Sequence, residues 1–541
     1  MGLELILHGG EVIDGSGAPG FRADVGVCGD RIVVVGDLTD AWAPARVDCA
    51  GLTICPGFID LHSHSDLTLL ANPRAESKVH MGVTSECNGQ CGMGVFPVRR
   101  DDAPQLRACC SFIEADVDYT WSSARDYLER LRQAGPAVNV AQMVGQSALR
   151  AWAMGFADGP ASPAQIAAMC DAATEAFGQG VAGISLGLAY ALGSFASREE
   201  IVALCATAAR HGRHVSVHLR HEGAKLLEAL DEIIGVAREV EREGTLRLQI
   251  DHLKCAGESN WGRMAQALER IELARAGGCD IAFDVYPYIA GSRHLSGSLP
   301  AWMHAGGNEA MVARLRSPQD RARLRQEYEA WLSGQGGDSP FELPFANILV
   351  TDVATEANAW TIGQRLDAIA AQRRQDPLEA TMDLLAEENG HVSVCLFSMS
   401  EEDMQLALAH PLGCVATDGL AFAPYGPLSR SRPHPRSYGT YPRVLGRYVR
   451  ELGLLSLPEA IRKCTDLPAS RLALRHRGLV REGFAADLVV FDPSTIADQA
   501  TFESPHQYPV GIKLVVVNGQ ITVQDDRHTG ASAGRLLASE P

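Results

Sequence analysis

Short apolar runs alternate with amphipathic segments through the middle of the chain. The runs have the length of buried strands, and the segments between them repeat apolar residues every three or four positions, as helices do. The strand-like runs are residues 56–61, 82–85, 137–145, 180–188, 214–218, 247–251, 281–288 and 414–417, and the clearest helical segments are 163–177, 198–210 and 224–242. This alternation of about eight units predicts an α/β fold, a TIM-like (β/α)8 barrel.

The two ends of the chain show a different pattern, made of short β-type runs and turn signals. Gly29-Asp30 and Asn518-Gly519 are typical of tight turns between strands, and apolar runs lie nearby at residues 32–35, 486–491 and 514–517. We therefore expect residues 1–55 and 478–541 to pair into one small β-sandwich, and residues 56–477 to form the barrel.

One connection in the predicted barrel is unusually long. About 130 residues separate the last two predicted strands, far more than an ordinary connection needs. Its early part carries Trp302, the pair Gly306-Gly307 and a charged helical pattern over residues 318–328. We expect an inserted region around residues 289–345, which is either a lid over the barrel mouth or a surface insertion with no role in binding.

Side chains of the metal-binding type follow several of the predicted strands. His62 and His64 lie two apart after the first strand, so both imidazoles point to the same side. Other strand-like runs end at or near further candidates, namely Cys91, His218, His252 and Asp418. A His-x-His pair alone is also compatible with two polar loop residues. In a barrel, however, the strand ends converge on one mouth, where these side chains would together form a metal shell.

The composition limits the classes of partner. The net charge is −18 and the pI is about 5.4, so the chain offers no basic face for a nucleic acid. We expect no membrane span, because no apolar run reaches about 18 residues. The first ten residues lack the features of a signal peptide, and the 14 cysteines lack the paired spacing of secreted scaffolds. These features predict a cytoplasmic protein with a small-molecule substrate and leave its oligomeric state undetermined.

Several longer tracts carry a resemblance to a known family. They include Gly187-Leu188-Ala189-Tyr190, His218-Leu219-Arg220, Asp251-His252-Leu253-Lys254, residues 284–292, residues 434–440, the His-x-His strand and Gln90-Cys91-Gly92. On these tracts, which span nearly the whole chain, the sequence resembles the amidohydrolase superfamily and, within it, the N-acyl-D-amino-acid deacylase (D-aminoacylase) family. The resemblance implies a zinc-dependent hydrolase that cleaves the N-acyl bond of N-acyl-D-amino acids or a related amide.

The resemblance also implies how the metals are held. Some amidohydrolases bridge two ions with a carboxylated lysine after the fourth strand, but no lysine lies between Lys78 and Lys225. Cys91 is then the additional ligand, although from the residues alone a buried, inert thiol is an equal alternative. By resemblance, the chain has a tighter zinc site and a second, partly occupied position, with these ligands: Cys91, His218 and His252 for the first, His62 and His64 for the second.

Asp418 is the candidate general base. A carboxylate beside a metal-activated water accepts its proton and later returns it to the departing amine. An aspartate after a strand also commonly caps the turn that follows, here at Gly419, and the two roles are compatible.

Substrate recognition is assigned partly from position and partly from the resemblance. Lys254 lies two residues after His252 on the same strand face, where its ammonium would meet the carboxylate of an acylated amino acid. By resemblance, further contacts with the substrate come from Tyr190, Tyr286, Ser292 and Arg430. Tyr286 is equally compatible with packing in the barrel core.

The sequence departs from the family pattern at some positions but keeps every expected ligand. The departures are Glu86, Cys87, Asn88, Gln146, His221, Asp251 and Arg293. Arg293 directly follows Ser292, and a guanidinium there would favour an acidic or otherwise polar substrate side chain. Two alternatives to a deacylase remain open: a cyclic-amide hydrolase of the hydantoinase or dihydroorotase type, and a non-catalytic scaffold built on the same barrel.

Overall fold

Eight parallel strands form the centre of the computed structural model, which describes residues 2–109, 115, 117–190, 192–242, 244–333 and 343–538. The strands are β1 (Phe58–Asp60), β2 (Val83–Asn88), β3 (Asn139–Gly145), β4 (Gly183–Gly187), β5 (His214–His218), β6 (Arg247–Ile250), β7 (Ile281–Val285) and β8 (Gly413–Val415). Each strand pairs in parallel with the next. The ring is completed beyond β1 and β8, where Asp418 N donates to His62 O at 2.9 Å and His64 N donates to Gly419 O at 2.9 Å.

Helices surround the barrel. The helices between strands are Thr68–Ala71, Glu76–His80, Ala103–Cys109, Ala124–Ala134, Gln146–Met154, Pro163–Gly178, Arg198–Arg210, Leu226–Val240, Met264–Ala276 and Glu401–Ala409. After β8 come Arg436–Arg443, the π-helix Val444–Glu451, Leu457–Cys464 and Asp466–Arg471. The Ser162 side chain caps its helix by accepting a hydrogen bond from Gln165 N, which has no partner within the helix. Pro163 occupies the first helical position, where its missing N–H costs no helical hydrogen bond.

Two sheets from the chain's ends pack into a β-sandwich beside the barrel. One sheet consists of Leu5–His8, Asp24–Cys28, Arg31–Gly36 and Ala45–Asp48. The other consists of Glu11–Val12, Phe21–Arg22, Thr53–Pro56, Leu488–Phe491, Ile512–Val517, Gln520–Gln524 and Arg527–His528. Apolar residues of both sheets, such as Leu7 and Leu488, share one buried core. The predicted barrel and terminal sandwich are therefore confirmed; the division at residues 55/56 and 477/478 stays a prediction.

The region between β7 and β8 is a folded unit. Its antiparallel sheet is formed by Ala290–His294, Ile348–Val353 and Val392–Phe397, with the last strand in the middle. Its helices are Ala301–His304, Gly307–Arg316, Pro318–Leu332, Leu366–Arg373 and Pro377–Glu387. The unit has its own apolar core and extends beyond the region 289–345 expected from the sequence, of which residues 334–342 lie outside the described residues. A lid movement stays a prediction. Within the described ranges, no helix has both the length and the apolarity needed to cross a membrane.

Candidate metal centre and active site

The sulfur of Cys91 lies at the centre of a group of imidazoles at the barrel mouth. Its Sγ is 3.3 Å from His62 Nε2, 3.5 Å from His218 Nδ1 and 3.3 Å from His252 Nε2. His218 Nδ1 and His252 Nε2 are 2.8 Å apart. The ligand atoms of Cys91, His218 and His252 all lie within 4.8 Å of one another, and so do those of His62, His64, Cys91 and Asp418. The structure thus brings together all six side chains that the sequence proposes as metal ligands or base.

Tight backbone turns after the strands place these side chains. Three of them adopt positive φ angles: 55° at Cys91, 31° at His252 and 48° at Asp418. Such angles are strained for non-glycine residues and are found preferentially at functional sites. The Cys91 turn also needs glycines, because a Cβ on Gly92 would lie 2.2 Å from Gly187 N at the end of β4. The close approach of two backbones therefore fixes the thiol position.

Asp418 connects the His-x-His pair with a buried arginine. Its Oδ1 lies 3.1 Å from His64 Nε2 and 3.4 Å from His62 Nε2, and its Oδ2 lies 2.7 Å from Arg436 Nη1. Burial opposes the charge of Asp418, but Arg436 and the neighbouring imidazoles hold its pKa well below the ordinary value. Asp418 is therefore ionised at neutral pH and able to accept a proton there.

Glu222 forms the support on the other side of the centre. Its Oε1 lies 2.9 Å from His252 Nδ1 and 2.6 Å from Lys254 Nζ, and its Oε2 lies 3.7 Å from His218 Nε2. Lys254 Nζ also lies 2.7 Å from His252 Nδ1, so the outer nitrogen of this imidazole is held between a carboxylate and an ammonium, which orients the ring. Burial opposes the charge on Lys254, but Glu222 raises the pKa of the ammonium to about 12. Lys254 is therefore a charged group at the mouth.

His62 meets two more carboxylates on its other ring edge. Its Nδ1 lies 3.5 Å from Asp251 Oδ1 and 3.4 Å from Asp284 Oδ1, and all three side chains are fully buried or nearly so. Burial raises the pKa of Asp251 well above its ordinary value, while His62 acts in the opposite direction.

The donor set suits a zinc ion. Nitrogen and sulfur donors in a compact group are the usual zinc ligands, and the thiolate is the form that binds. Burial raises the pKa of the Cys91 thiol to about 12, so a cation is needed to hold the thiolate here at neutral pH. His64 supports the same conclusion, because burial lowers its pKa to about 4 and leaves the neutral, ligating imidazole.

Two of the predicted substrate-binding residues, Tyr190 and Tyr286, lie beside residues of the centre, while Ser292 and Arg430 lie on other segments. The Tyr190 ring lies 4.5 Å from the His218 ring, and Tyr286 lies under Arg436, whose guanidinium carbon is 4.8 Å from the ring centroid. Ser292 lies on the first strand of the inserted unit, where its side chain forms a hydrogen bond with the Cys395 thiol. Arg430 is exposed on the turn after Pro427–Ser429, and no contact joins it to the metal centre among the described residues. The substrate-binding roles of Tyr190, Tyr286, Ser292, Arg430 and Lys254 all stay predictions.

The arginine that the structure brings to the centre is Arg436. From the sequence, His434 and Arg436 are either structural residues or residues that line the mouth, and no role is assigned to Glu222, Asp251 or Asp284. Arg436 is 1% exposed, and apart from its ion pair with Asp418 its Nε and Nη2 have no hydrogen-bond partner within the described chain. Arg436 is recognised as a candidate because it is a buried cation with unpaired donors, and both of these properties can be seen only in the tertiary structure.

Comparison with known proteins agrees with this geometry. The model of the Amidohydrolase family matches residues 45–523, which is most of the chain. The chain belongs to this amidohydrolase family. Among curated relatives, a D-aminoacylase from Alcaligenes xylosoxydans xylosoxydans is 38% identical over 536 residues, covering 99% of this chain and 97% of the relative.

Solved amidohydrolase structures share the whole architecture. A D-aminoacylase structure described with a binuclear metal centre has a TM-score of 0.82 and 36% identity, over 99% of this chain and 100% of the other. The N-acyl-D-glutamate deacylase of Bordetella bronchiseptica, complexed with zinc and a phosphonate that mimics the tetrahedral intermediate, has a TM-score of 0.84 and 30% identity over the same shares. Hydantoinase-type structures reach TM-scores of 0.52 to 0.56 at 14% to 16% identity, which shows a shared fold only.

Proposed function

We propose that this chain is a zinc-dependent deacylase that hydrolyses N-acyl-D-amino acids to a carboxylate and a free D-amino acid. The observation that carries the proposal is the convergence of Cys91, four imidazoles and the ionised Asp418 at one barrel mouth. The activities named for the relatives, D-aminoacylase and N-acyl-D-glutamate deacylase, supply the substrate class and its D configuration.

We propose two metal positions, and the grouping of the ligand atoms supports them. Cys91, His218 and His252 would hold the tighter ion, and Glu222 would orient His252 from the side opposite the ion. His62 and His64, with Asp418 nearby, would hold a second ion. When bound, zinc supplies Lewis acidity and lowers the pKa of a coordinated water to about 7.

Asp418 moves the proton in the proposed mechanism. Its Oδ1 faces the imidazoles, so this oxygen takes the proton of the attacking water, while Oδ2 stays on Arg436. After attack, Asp418 returns that proton to the amide nitrogen as the carbon–nitrogen bond breaks. The water oxygen and one of its protons thus end in the carboxylic acid, the other proton ends on the amine nitrogen, and Asp418 regains its original charge. The acid then loses its proton at neutral pH to give the carboxylate.

The substrate carboxylate finds three buried donors beside the centre. Arg436 has the unused donors Nε and Nη2, and the Tyr286 hydroxyl is also buried without a partner among the residues described. Lys254 Nζ lies 5.9 Å from the Tyr286 ring centroid, so the ammonium, the phenol and the guanidinium border one region. The unpaired buried donors of Arg436 and Tyr286 cost free energy, and an anionic substrate that pairs with them removes this cost. Lys254 is already paired with Glu222 and adds positive charge to the region. This set therefore selects amides that carry a carboxylate. Tyr190, beside His218, and Ser292 complete the proposed binding surface.

The two alternatives have weaker support. A cyclic-amide hydrolase of the hydantoinase or dihydroorotase type shares the fold, but its structures are distant in sequence and the chain offers no lysine for a bridge after β4. A non-catalytic scaffold would have no need to retain an ionised carboxylate beside a complete set of ligands. We include a cytoplasmic location in the proposal, supported by the free thiols of the described cysteines.

A substrate panel tests the proposal directly. Zinc-loaded protein is assayed for amine release from N-acetyl-D- and N-acetyl-L-amino acids, and for hydrolysis of dipeptides, hydantoins and dihydroorotate. We expect turnover of the D enantiomers and little or none of the other compounds. Turnover of hydantoins in preference to N-acyl amino acids, or no turnover of any compound by protein that retains zinc, would reject the deacylase.

A further inference from the structure

Asp251 lies at the buried edge of His62, on the side away from Cys91, and its side-chain oxygens have no hydrogen-bond partner among the described residues. We propose that Asp251 is a positioning residue that strengthens the second metal position through His62. The proposal rests on the metal centre of the proposed function, but it does not depend on which substrate is hydrolysed.

The two nitrogens of His62 face different partners. Nε2 lies 3.3 Å from Cys91 Sγ and 3.4 Å from Asp418 Oδ1, on the side where a metal would bind. Nδ1 faces inward, where Asp251 Oδ1 and Asp284 Oδ1 are its nearest acidic atoms at 3.5 Å and 3.4 Å. When Nε2 binds a cation, the ring proton resides on Nδ1, on the side of the ring where these two carboxyl groups lie. Such an outer carboxylate orients an imidazole and increases its basicity as a ligand.

The two carboxylates differ in their other contacts. Asp284 Oδ1 accepts a hydrogen bond from His252 N at 2.8 Å, and Asp284 Oδ2 is 3.4 Å from Gln249 Nε2. Asp251 is 1% exposed, and neither of its oxygens has a hydrogen-bond partner in the described parts of the chain. Asp284 is therefore already engaged by the backbone and would keep its place without His62. For Asp251, the close contact with a side-chain nitrogen of the described residues is that with His62 Nδ1, at 3.5 Å.

A buried carboxyl group without a hydrogen-bond partner is costly in free energy, and this cost connects Asp251 with the metal position. Burial of an unpaired polar group costs free energy, and burial of an unpaired charge costs more. A cation on Nε2 polarises the His62 ring and makes Nδ1–H a stronger donor, so the ion and the Asp251 carboxylate stabilise each other. The effect falls on the second position, because the tighter site has its own outer carboxylate in Glu222, 2.9 Å from His252 Nδ1.

Metal titration separates the two positions. Metal-free wild-type protein and the Asp251→Ser variant are titrated with zinc against a chromophoric chelator, and bound zinc per chain is measured by mass spectrometry at buffered free-zinc concentrations. We expect wild type to bind two ions. In Asp251→Ser the second ion should bind about 10- to 100-fold more weakly, while the affinity of the first ion is unchanged.

Two further variants keep the test decisive. Asp251→Asn preserves the side-chain volume and one acceptor oxygen, so we expect a smaller loss in the same direction and a folded protein for comparison. Asp66→Asn is the matched control: Asp66 is equally buried, but its carboxylate is engaged by Gln142 Nε2 at 2.7 Å and Gly89 N at 3.2 Å and not by a proposed ligand. We expect both of its zinc affinities to equal those of wild type.

Three results would overturn the proposal: a wild-type protein that saturates at one ion, an unchanged second affinity in Asp251→Ser, or an equal loss in Asp251→Ser and Asp66→Asn. None of these results depends on a deacylase assay. Zinc binding as expected in a protein that hydrolyses no N-acyl amino acid would support this proposal and reject the proposed function.

Discussion

Arg436 holds one oxygen of Asp418 and leaves the other for chemistry. The Nη1 of Arg436 lies 2.7 Å from Asp418 Oδ2, while Oδ1 faces His64 Nε2 at 3.1 Å. Both residues are buried, with relative exposures of 1% for Arg436 and 6% for Asp418. The ion pair therefore fixes both the charge and the orientation of the proposed base, and it connects the proton acceptor to the region proposed for the substrate carboxylate.

Replacing the base should remove hydrolysis without removing the tighter metal. Asp418 has a φ of 48°, which asparagine tolerates better than most residues, so Asp418→Asn is the least disruptive variant. We expect kcat to fall by about 10²- to 10⁴-fold, the usual contribution of a general acid–base group. Bound zinc at the Cys91, His218 and His252 site should not change. Full activity in Asp418→Asn would remove Asp418 from the mechanism.

Removing the arginine should move the pH profile. Arg436 lowers the pKa of Asp418, so Arg436→Met should raise it. The active, ionised carboxylate is then lost at a higher pH, and the acid limb of the kcat/KM profile shifts upwards. Arg436→Lys keeps a positive charge and should shift less. KM for carboxylate-bearing substrates should rise in both variants, and a profile identical to wild type in Arg436→Met would contradict the assignment.

The thiol ligand has a matched control four residues earlier in the chain, at Cys87. Chelation of the metal should abolish activity, and added zinc should restore it. In Cys91→Ser we expect the tighter zinc to be lost on dialysis, because a hydroxyl is a much weaker ligand than a thiolate. Cys87 is also fully buried on β2, but its Sγ contacts Gln90 Nε2 at 3.3 Å. Cys87→Ser should therefore retain zinc, and equal zinc content in the two variants would contradict the proposed ligand.

Loss of the ammonium should weaken substrate binding. In Lys254→Met we expect KM to rise by about 10- to 100-fold, since hydrogen bonds to charged groups contribute about 1.5–3 kcal/mol. The variant also leaves Glu222 without its partner at 2.6 Å, so Lys254→Met combined with Glu222→Gln separates the two effects. An N-acyl amine without a carboxylate is the control substrate and should show little change. An unaltered KM for N-acyl-D-amino acids would reject the anchoring role.

Arg293 is the residue expected to select the substrate side chain. Its Nη2 donates to Ser298 Oγ at 3.0 Å, its Nε is buried without a partner, and no carboxylate pairs with it in the described part of the chain. Burial raises the pKa of Tyr190 well above its ordinary value, and Arg293 is among the charges that oppose this, which indicates that the guanidinium lies near the mouth.

We therefore expect higher kcat/KM for N-acetyl-D-glutamate or N-acetyl-D-aspartate than for N-acetyl-D-leucine. Arg293→Thr should reduce that preference by about 10-fold or more, as expected for one lost charge-assisted contact. The leucine derivative serves as the internal control, because its turnover should change little. Equal loss for both substrates would show that Arg293 acts on structure and not on selectivity.

Local patterns in the sequence were sufficient for most of the architecture. The helix over 163–177 and the hairpin at Asn518-Gly519 follow from capping and turn residues that lie next to one another, and the structure has Pro163–Gly178 and the paired strands Ile512–Val517 and Gln520–Gln524. The strand-end positions of the candidate ligands follow in the same way, because β periodicity and parallel order direct the strand ends to one mouth.

The sequence by itself therefore determined the barrel, the terminal sandwich and the set of candidate ligands. Only the tertiary structure decided that Arg436 and not Arg430 reaches the centre, that Glu222 supports Lys254 and His252, and that Asp251 meets His62. The physical reason is range. Periodicity and capping act between neighbours in the chain, whereas a side chain on a long loop finds its partner through the path of that loop and the burial of its charge.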